Sequence, residues 1–90
     1  MIARRVTVTG RVQGVFFRAW TQAQARKLGV AGWVRNAGDG SVEAHLEGDE
    51  GAVKMLIHRL HDGPPSAAVA NVKVHEVVPA EGNGGFRVRH

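Results

Sequence analysis

A two-layer α+β sandwich is the fold this sequence predicts, with elements in the order β-α-β-β-α-β and one short strand added. Three observations predict it. Stretches whose apolar residues recur every second position alternate with two stretches of helical period. Glycine and proline cluster where the period changes, at Gly29, Gly38-Asp39-Gly40, Gly63-Pro64-Pro65 and Gly82-Asn83-Gly84-Gly85. The 90 residues, 43% hydrophobic and 22% charged, match an ordinary globular chain with room for one core. A chain this size buries roughly 60 to 70% of its unfolded surface, so one domain over residues 1–90 is expected.

The elements follow in order. Residues 4 to 9 alternate, with Val6 and Val8 on one face and Arg5, Thr7 and Thr9 on the other, as in a half-buried strand. Gly10 to Val15 breaks this pattern and reads as a loop. From Phe17 the period becomes helical, with Phe17, Thr21, Ala25 and Leu28 on one stripe and Gly29 as a left-handed stop. Val30 to Arg35 is a second strand, Ala37-Gly38-Asp39-Gly40 a hairpin turn, and Ser41 to Glu47 a third strand with Val42, Ala44 and Leu46 inward.

Asp49 is placed to cap a second helix, whose buried stripe is Val53, Leu56, Ile57 and Leu60 and whose end is Gly63-Pro64-Pro65. Val69 to Val78 alternates again, Gly82 to Gly85 reads as a turn, and Phe86 and Val88 suggest a short fifth strand. This order packs most simply as a ferredoxin-like sandwich, an antiparallel sheet with both helices on one face. Strand 3 then lies between strands 1 and 2, which run parallel. The loops leaving strands 1 and 2 therefore open on the same edge of the sheet.

Composition narrows the function. With no cysteine, neither disulfides nor thiolate chemistry is available, which suits the cytoplasm. No apolar core follows Arg4-Arg5, so no export leader is expected, and no run approaches the ~20 apolar residues of a membrane span. The net charge of +4 favours anionic partners without choosing among nucleic acid, lipid and phosphorylated small molecules.

One segment bears on that choice. Gly10-Arg11-Val12-Gln13-Gly14-Val15-Phe16-Phe17-Arg18 joins a strand to a helix. Successive N–H groups in such a loop can turn inward as an anion-binding nest, and the helix adds unpaired donors and the positive end of its dipole. Arg18, in the first helical turn, can fork two hydrogen bonds onto phosphate oxygens. By spacing alone a plain chain turn is the favoured reading of the segment. It is neither a P-loop nor Gly-x-Gly-x-x-Gly.

The same nine residues resemble the first of two acylphosphatase signatures. Gly32-Trp33-Val34-Arg35-Asn36, followed by Gly40, Val42 and Gly48, resembles the second with its spacing intact. The resemblance continues through Gly63-Pro64 to the last strand and implies the sandwich described above. It also implies a metal-free and cofactor-free hydrolase acting on small-molecule acyl phosphates; a cytoplasmic monomer is expected, since nothing in the chain demands a larger assembly. Arg18 stands where the family's phosphate-binding arginine stands, and Asn36 where its water-positioning asparagine stands. The backbone amides of Gln13, Gly14, Val15, Phe16, Phe17 and Arg18 would complete the cradle. Ala37 departs from the pattern, since several members have threonine there.

Other residues read as structural. His58 and His61 lie three apart on a helix without a third metal ligand of suitable spacing, and His45, His75 and His90 are expected at the surface. Glu43, Glu47, Asp49 and Glu50 fit strand alternation and capping. Trp33 is expected to pack, Phe16 to flank the site and Phe17 to join the core. Two alternatives share the fold, a non-catalytic anion-binding module and an RNA-binding module. The second is disfavoured because strand 3, Ser41-Val42-Glu43-Ala44-His45-Leu46, offers no aromatic for base stacking.

Overall fold

In the computed structural model, which describes residues 1–80 and 84–90, seven elements follow one another. They are β1 (Ile2–Arg11), α1 (Phe17–Leu28), β2 (Ala31–Asn36), β3 (Val42–Gly48), α2 (Glu50–Leu60), β4 (Ala68–Val77) and β5 (Phe86–Arg89). The strands form one sheet in the order β4-β1-β3-β2-β5. β3 pairs antiparallel with both β1 and β2, so those two run parallel with β3 between them, as the element order predicts. The expected turn at Gly82 to Gly85 lies partly outside the described residues.

Apolar alternation builds the helix-covered layer. Val6, Val8, Val34, Val42, Ala44 and Leu46 pack beneath Phe17 and Ala25 of α1 and Val53, Leu56 and Leu60 of α2. Leu28 and Ile57, at the rim of their stripes, are only half-buried. Gly29 closes α1 with φ 71°, and Asp49 caps α2 by accepting from the Gly51 N–H at 3.2 Å.

Three features differ from the local reading. β1 runs past Gly10 to Arg11, because a bulge at Thr9/Gly10 lets Gly10 and Arg11 pair with Val69 and Ala68 of β4. β5 pairs parallel with β2, which makes the sheet mixed. β4 ends at the opposite edge of the sheet, at the end where β2 begins. The next strand must start from that end, and so it runs alongside β2.

The third difference is a correction. His45, expected at the surface, and Glu47, placed by strand alternation on the outward face, are 3% and 1% exposed. β3 is the central strand, so its helix-free face is roofed by side chains from its neighbours. Register sets Arg5 and Trp33 directly beside His45. Trp33 stacks on the imidazole at 6.1 Å, and the Arg5 and Arg89 guanidinium groups lie 4.9 and 4.8 Å from the Trp33 ring centre. His45 Nε2 donates to Glu47 Oε1 at 3.0 Å, and the Ala80 N–H donates to the same oxygen at 2.7 Å. The buried carboxylate is thereby satisfied.

Candidate active site

The loop between β1 and α1 is held from below. Val12, Val15 and Phe17 are buried, while Phe16 between them is 82% exposed. This in-out alternation over so few residues needs unusual backbone. Gly14 has φ 74°, and Phe16 has φ 64° and ψ 25°; among the described residues no other non-glycine has positive φ. A bulky residue there stores about 1–3 kcal/mol of strain, the kind that functional loops retain.

That geometry leaves donors unused. Phe16 stands at the N-cap of α1 without a side-chain cap, and no acidic residue lies in the first turn. Among the described residues, the amides of Gln13 through Arg18 donate to no backbone or side-chain acceptor. Unpaired N–H groups at the positive end of a 12-residue helix form a receptor for an anion.

Asn36 ends β2 on the same edge. The hairpin turn beyond it is stitched to the loop, because Gln13 Nε2 donates to the carbonyls of Ala37 at 2.8 Å and Ser41 at 2.9 Å. Ala37 N–H donates to the Ser41 carbonyl at 2.8 Å, and Gly40 N–H to that of Ala37 at 3.3 Å. Main-chain groups thus hold the turn where the family pattern often has threonine. The Asn36 carboxamide itself makes no hydrogen bond with a described residue.

Asp39 completes the turn, its Oδ1 accepting from Ser41 Oγ at 2.6 Å and from Ser41 N–H at 3.0 Å. These bonds favour the carboxylate and hold its pKa below the usual 3.8. A depressed folded-state value contributes stability above the ordinary pKa that is lost as pH falls through the lower one. Asp39→Asn should therefore flatten the loss of stability below about pH 4, a small effect for an exposed group. Urea titrations of both proteins at pH 7 and at acidic pH check this; identical losses would contradict it.

Arg18 reaches the cleft from α1. Its Nη1 donates to the Arg89 carbonyl at 3.2 Å and to His90 Nδ1 at 3.1 Å. Among the described residues, Nε and Nη2 have no acceptor. Arg18 and Asn36 line one cleft of about 380 Å³ together with Val12, Gly14, Phe16, Phe17, Ala19, Val88 and His90. Phe16 forms part of its wall and Phe17 also reaches the core, as expected. Gln13 and Val15 are not among its lining residues; the Gln13 side chain ties down the turn and Val15 packs below, while their amides remain unpaired among the described residues in the loop beside it. Trp33 lies on the other face of the sheet.

The sequence reading missed His90, placed by β5 rather than by any local signal. Among the described residues, no carboxylate or thiol side chain lines the cleft. What it offers is a forked cation, free amides and a free carboxamide, suited to holding a tetrahedral oxyanion and one water. Among the described residues, no three His, Cys, Asp or Glu side chains converge as metal ligands, and no helix is long and apolar enough to cross a membrane.

Comparison with known proteins agrees with this geometry. The acylphosphatase family model matches residues 4–88. An acylphosphatase of Rubrobacter xylanophilus is 55% identical over 85 residues, covering 94% of this chain and 77% of the relative. One from Rhizobium meliloti is 50% identical over 86 residues, covering 96% and 90%. The crystal structure of acylphosphatase from Bacillus subtilis superimposes with a TM-score of 0.95 at 39% identity, covering 100% of both chains. The likeness runs through both signature segments and the strand that closes the cleft, and on these grounds the chain belongs to the acylphosphatase family.

Proposed function

We propose that this acylphosphatase hydrolyses the carboxyl–phosphate bond of small acyl phosphates in the cleft between the β1–α1 loop and the end of β2. Arg18 and the amides of Gln13, Gly14, Val15, Phe16, Phe17 and Arg18 bind the phosphoryl oxygens, and Asn36 positions the attacking water. The observation that carries this reading is the convergence of unused donors. Arg18, with one edge unpaired among the described residues, and Asn36, whose carboxamide is likewise unpaired among them, line one cleft beside a loop whose amides find no acceptor among the described residues.

An acyl phosphate carries its own activation, because the departing carboxylate is a stable anion. The protein then has to supply position and charge rather than strong acid or base. Charge shifting over the phosphoryl oxygens meets fixed N–H donors that need no reorganisation. A carboxamide can accept from and donate to the water, but it cannot take its proton. The substrate phosphate takes that proton as the oxygen–phosphorus bond forms and the carboxylate departs.

The test is steady-state hydrolysis of a panel of acyl phosphates, with a phosphate monoester as control. Asn36→Ala should lower kcat by about 10²- to 10³-fold, the loss seen when one preorganised polar group is removed. Inorganic phosphate should compete with substrate in the native enzyme. A folded Asn36→Ala protein with near-native turnover, or a preference for the monoester, would refute the mechanism. Anion binding without turnover would favour the non-catalytic alternative.

We also read residues 1–90 as one domain working as a cytoplasmic monomer that binds no nucleic acid. The exposed large apolar side chains include Phe16 in the β1–α1 loop, Met55 on α2, and Val74 and Val78 on and just beyond β4, three separate stretches of the chain. The helix-free sheet face has its aromatic, Trp33, 6% exposed beneath arginines, which leaves no platform for bases there. A cysteine-free chain suits a reducing compartment.

A further inference from the structure

We propose that His90 is a positioning residue which, with the Arg89 carbonyl, selects the edge of the Arg18 guanidinium offered to the substrate phosphoryl group. This deepens the reading of Arg18 as the phosphate-binding cation and rests on it. A guanidinium carries five N–H donors and no acceptor. It can grip two oxygens through its end, Nη1 with Nη2, or through its side, Nε with Nη2. An unrestrained arginine on the first turn of a helix would sample both.

In this chain the choice is made. Nη1 has two N–H groups and two acceptors, the Arg89 carbonyl at 3.2 Å and His90 Nδ1 at 3.1 Å. Both of its donors are occupied, so the end-on fork is closed. Nε and Nη2 have no acceptor among the described residues, which leaves the side-on fork open on a side chain that lines the cleft. His90 Nδ1 must carry a lone pair to accept from a guanidinium, so its ring proton sits on Nε2 in this arrangement. The same two contacts restrain a long side chain before substrate arrives, so less freedom is lost on binding.

Topology explains why these two residues can act on Arg18. β5 runs parallel to β2 and ends on the rim where β1 and β2 end, beside the start of α1. Val88 faces the core side and His90, two residues on, lines the cleft. The Arg89 carbonyl is main chain and survives any substitution, so His90 is the element that mutation can test.

The experiment compares His90→Ala, His90→Asn and Arg18→Ala with the native protein, measuring KM and kcat for acetyl phosphate and Ki for inorganic phosphate. NMR of the Arg18 side-chain N–H groups is recorded alongside. The His90 side chain is exposed, so its variants are expected to fold. In His90→Ala, KM and Ki should rise together by about 10-fold, the effect of one hydrogen bond to a charged group, with kcat changed less than about threefold.

His90→Asn, whose Oδ1 can replace Nδ1 as the acceptor, should return both constants to within about threefold of native. The Arg18 Nη signals should be distinct in the native and Asn proteins and averaged in the Ala protein. Unchanged KM and Ki in His90→Ala, or an Asn variant as weak as the Ala variant, would overturn the proposal while leaving Arg18 in its role. An Arg18→Ala protein with native activity would overturn the underlying reading, and this inference with it.

Discussion

Arg18→Ala should lower kcat/KM for acyl phosphates by at least ~10³-fold, with the fold intact. The magnitude follows from what is removed. Loss of one neutral donor from a preorganised oxyanion site costs ~2.7–4 kcal/mol of barrier, about 10²- to 10³-fold. Arg18 presents two donors and a full charge along its free Nε/Nη2 edge, so its loss belongs at or beyond the upper end. The substitution should spare stability, because among the described residues the guanidinium bonds only to the Arg89 carbonyl and His90 at the surface. Arg18→Lys is the informative companion. It keeps the charge and loses the planar fork, so it should recover only part of the activity. Initial rates, the Ki of inorganic phosphate and thermal unfolding of each variant check the expectation. A folded alanine variant that retains a tenth of native kcat/KM would show that the phosphoryl group is held elsewhere.

Gly32→Ala should destabilise the fold by about 3–5 kcal/mol, a large share of the roughly 5–15 kcal/mol typical of a small domain. Gly32 has φ 134°, a backbone conformation open to glycine and strained by about 1–3 kcal/mol for other residues. A methyl group there would also lie 2.8 Å from the His45 carbonyl carbon and closer still to its oxygen, and no flexible side chain is available to yield. Relief requires moving β2 away from β3, which disturbs ladder hydrogen bonds worth about 1 kcal/mol each. It also disturbs the Gly32 N–H bond to the Gly85 carbonyl at 2.9 Å. At about 4–8 °C per kcal/mol for a domain this size, Tm should fall by at least ~12 °C. Gly38→Ala, where the added methyl meets open space, serves as the control. A Gly32→Ala midpoint within a few degrees of native would mean that β2 and β3 separate at little cost.

Both effects depend on positions readable in the chain before any coordinates. The alternation around Val6 and Val8, the helical stripe from Phe17 to Ala25, the stop at Gly29 and the Asp49 cap are local devices, decided by residues a few positions apart. Two signature segments named Arg18 and Asn36 and their loop. The element order was enough to bring both chain turns to one rim, because a strand inserted between two others forces those two to run parallel.

What local period cannot report is what covers the outward face of a strand. From alternation alone His45 and Glu47 face outward; His45 is buried because Arg5 and Trp33 reach over the central strand from either side, while Glu47, two residues on, is met by His45 and by the Ala80 N–H from beyond β4. The same limit hid His90. Its approach to Arg18 depends on β5 crossing from the far edge of the sheet to run beside β2, a pairing between residues more than fifty positions apart. The sequence by itself determined the elements, their order and the chemistry offered at the rim, because those follow from neighbours along the chain. Only the tertiary structure decided which polar side chains are buried and which edge of Arg18 is free, because burial and hydrogen-bond partners are set by strands that meet only after the sheet has formed.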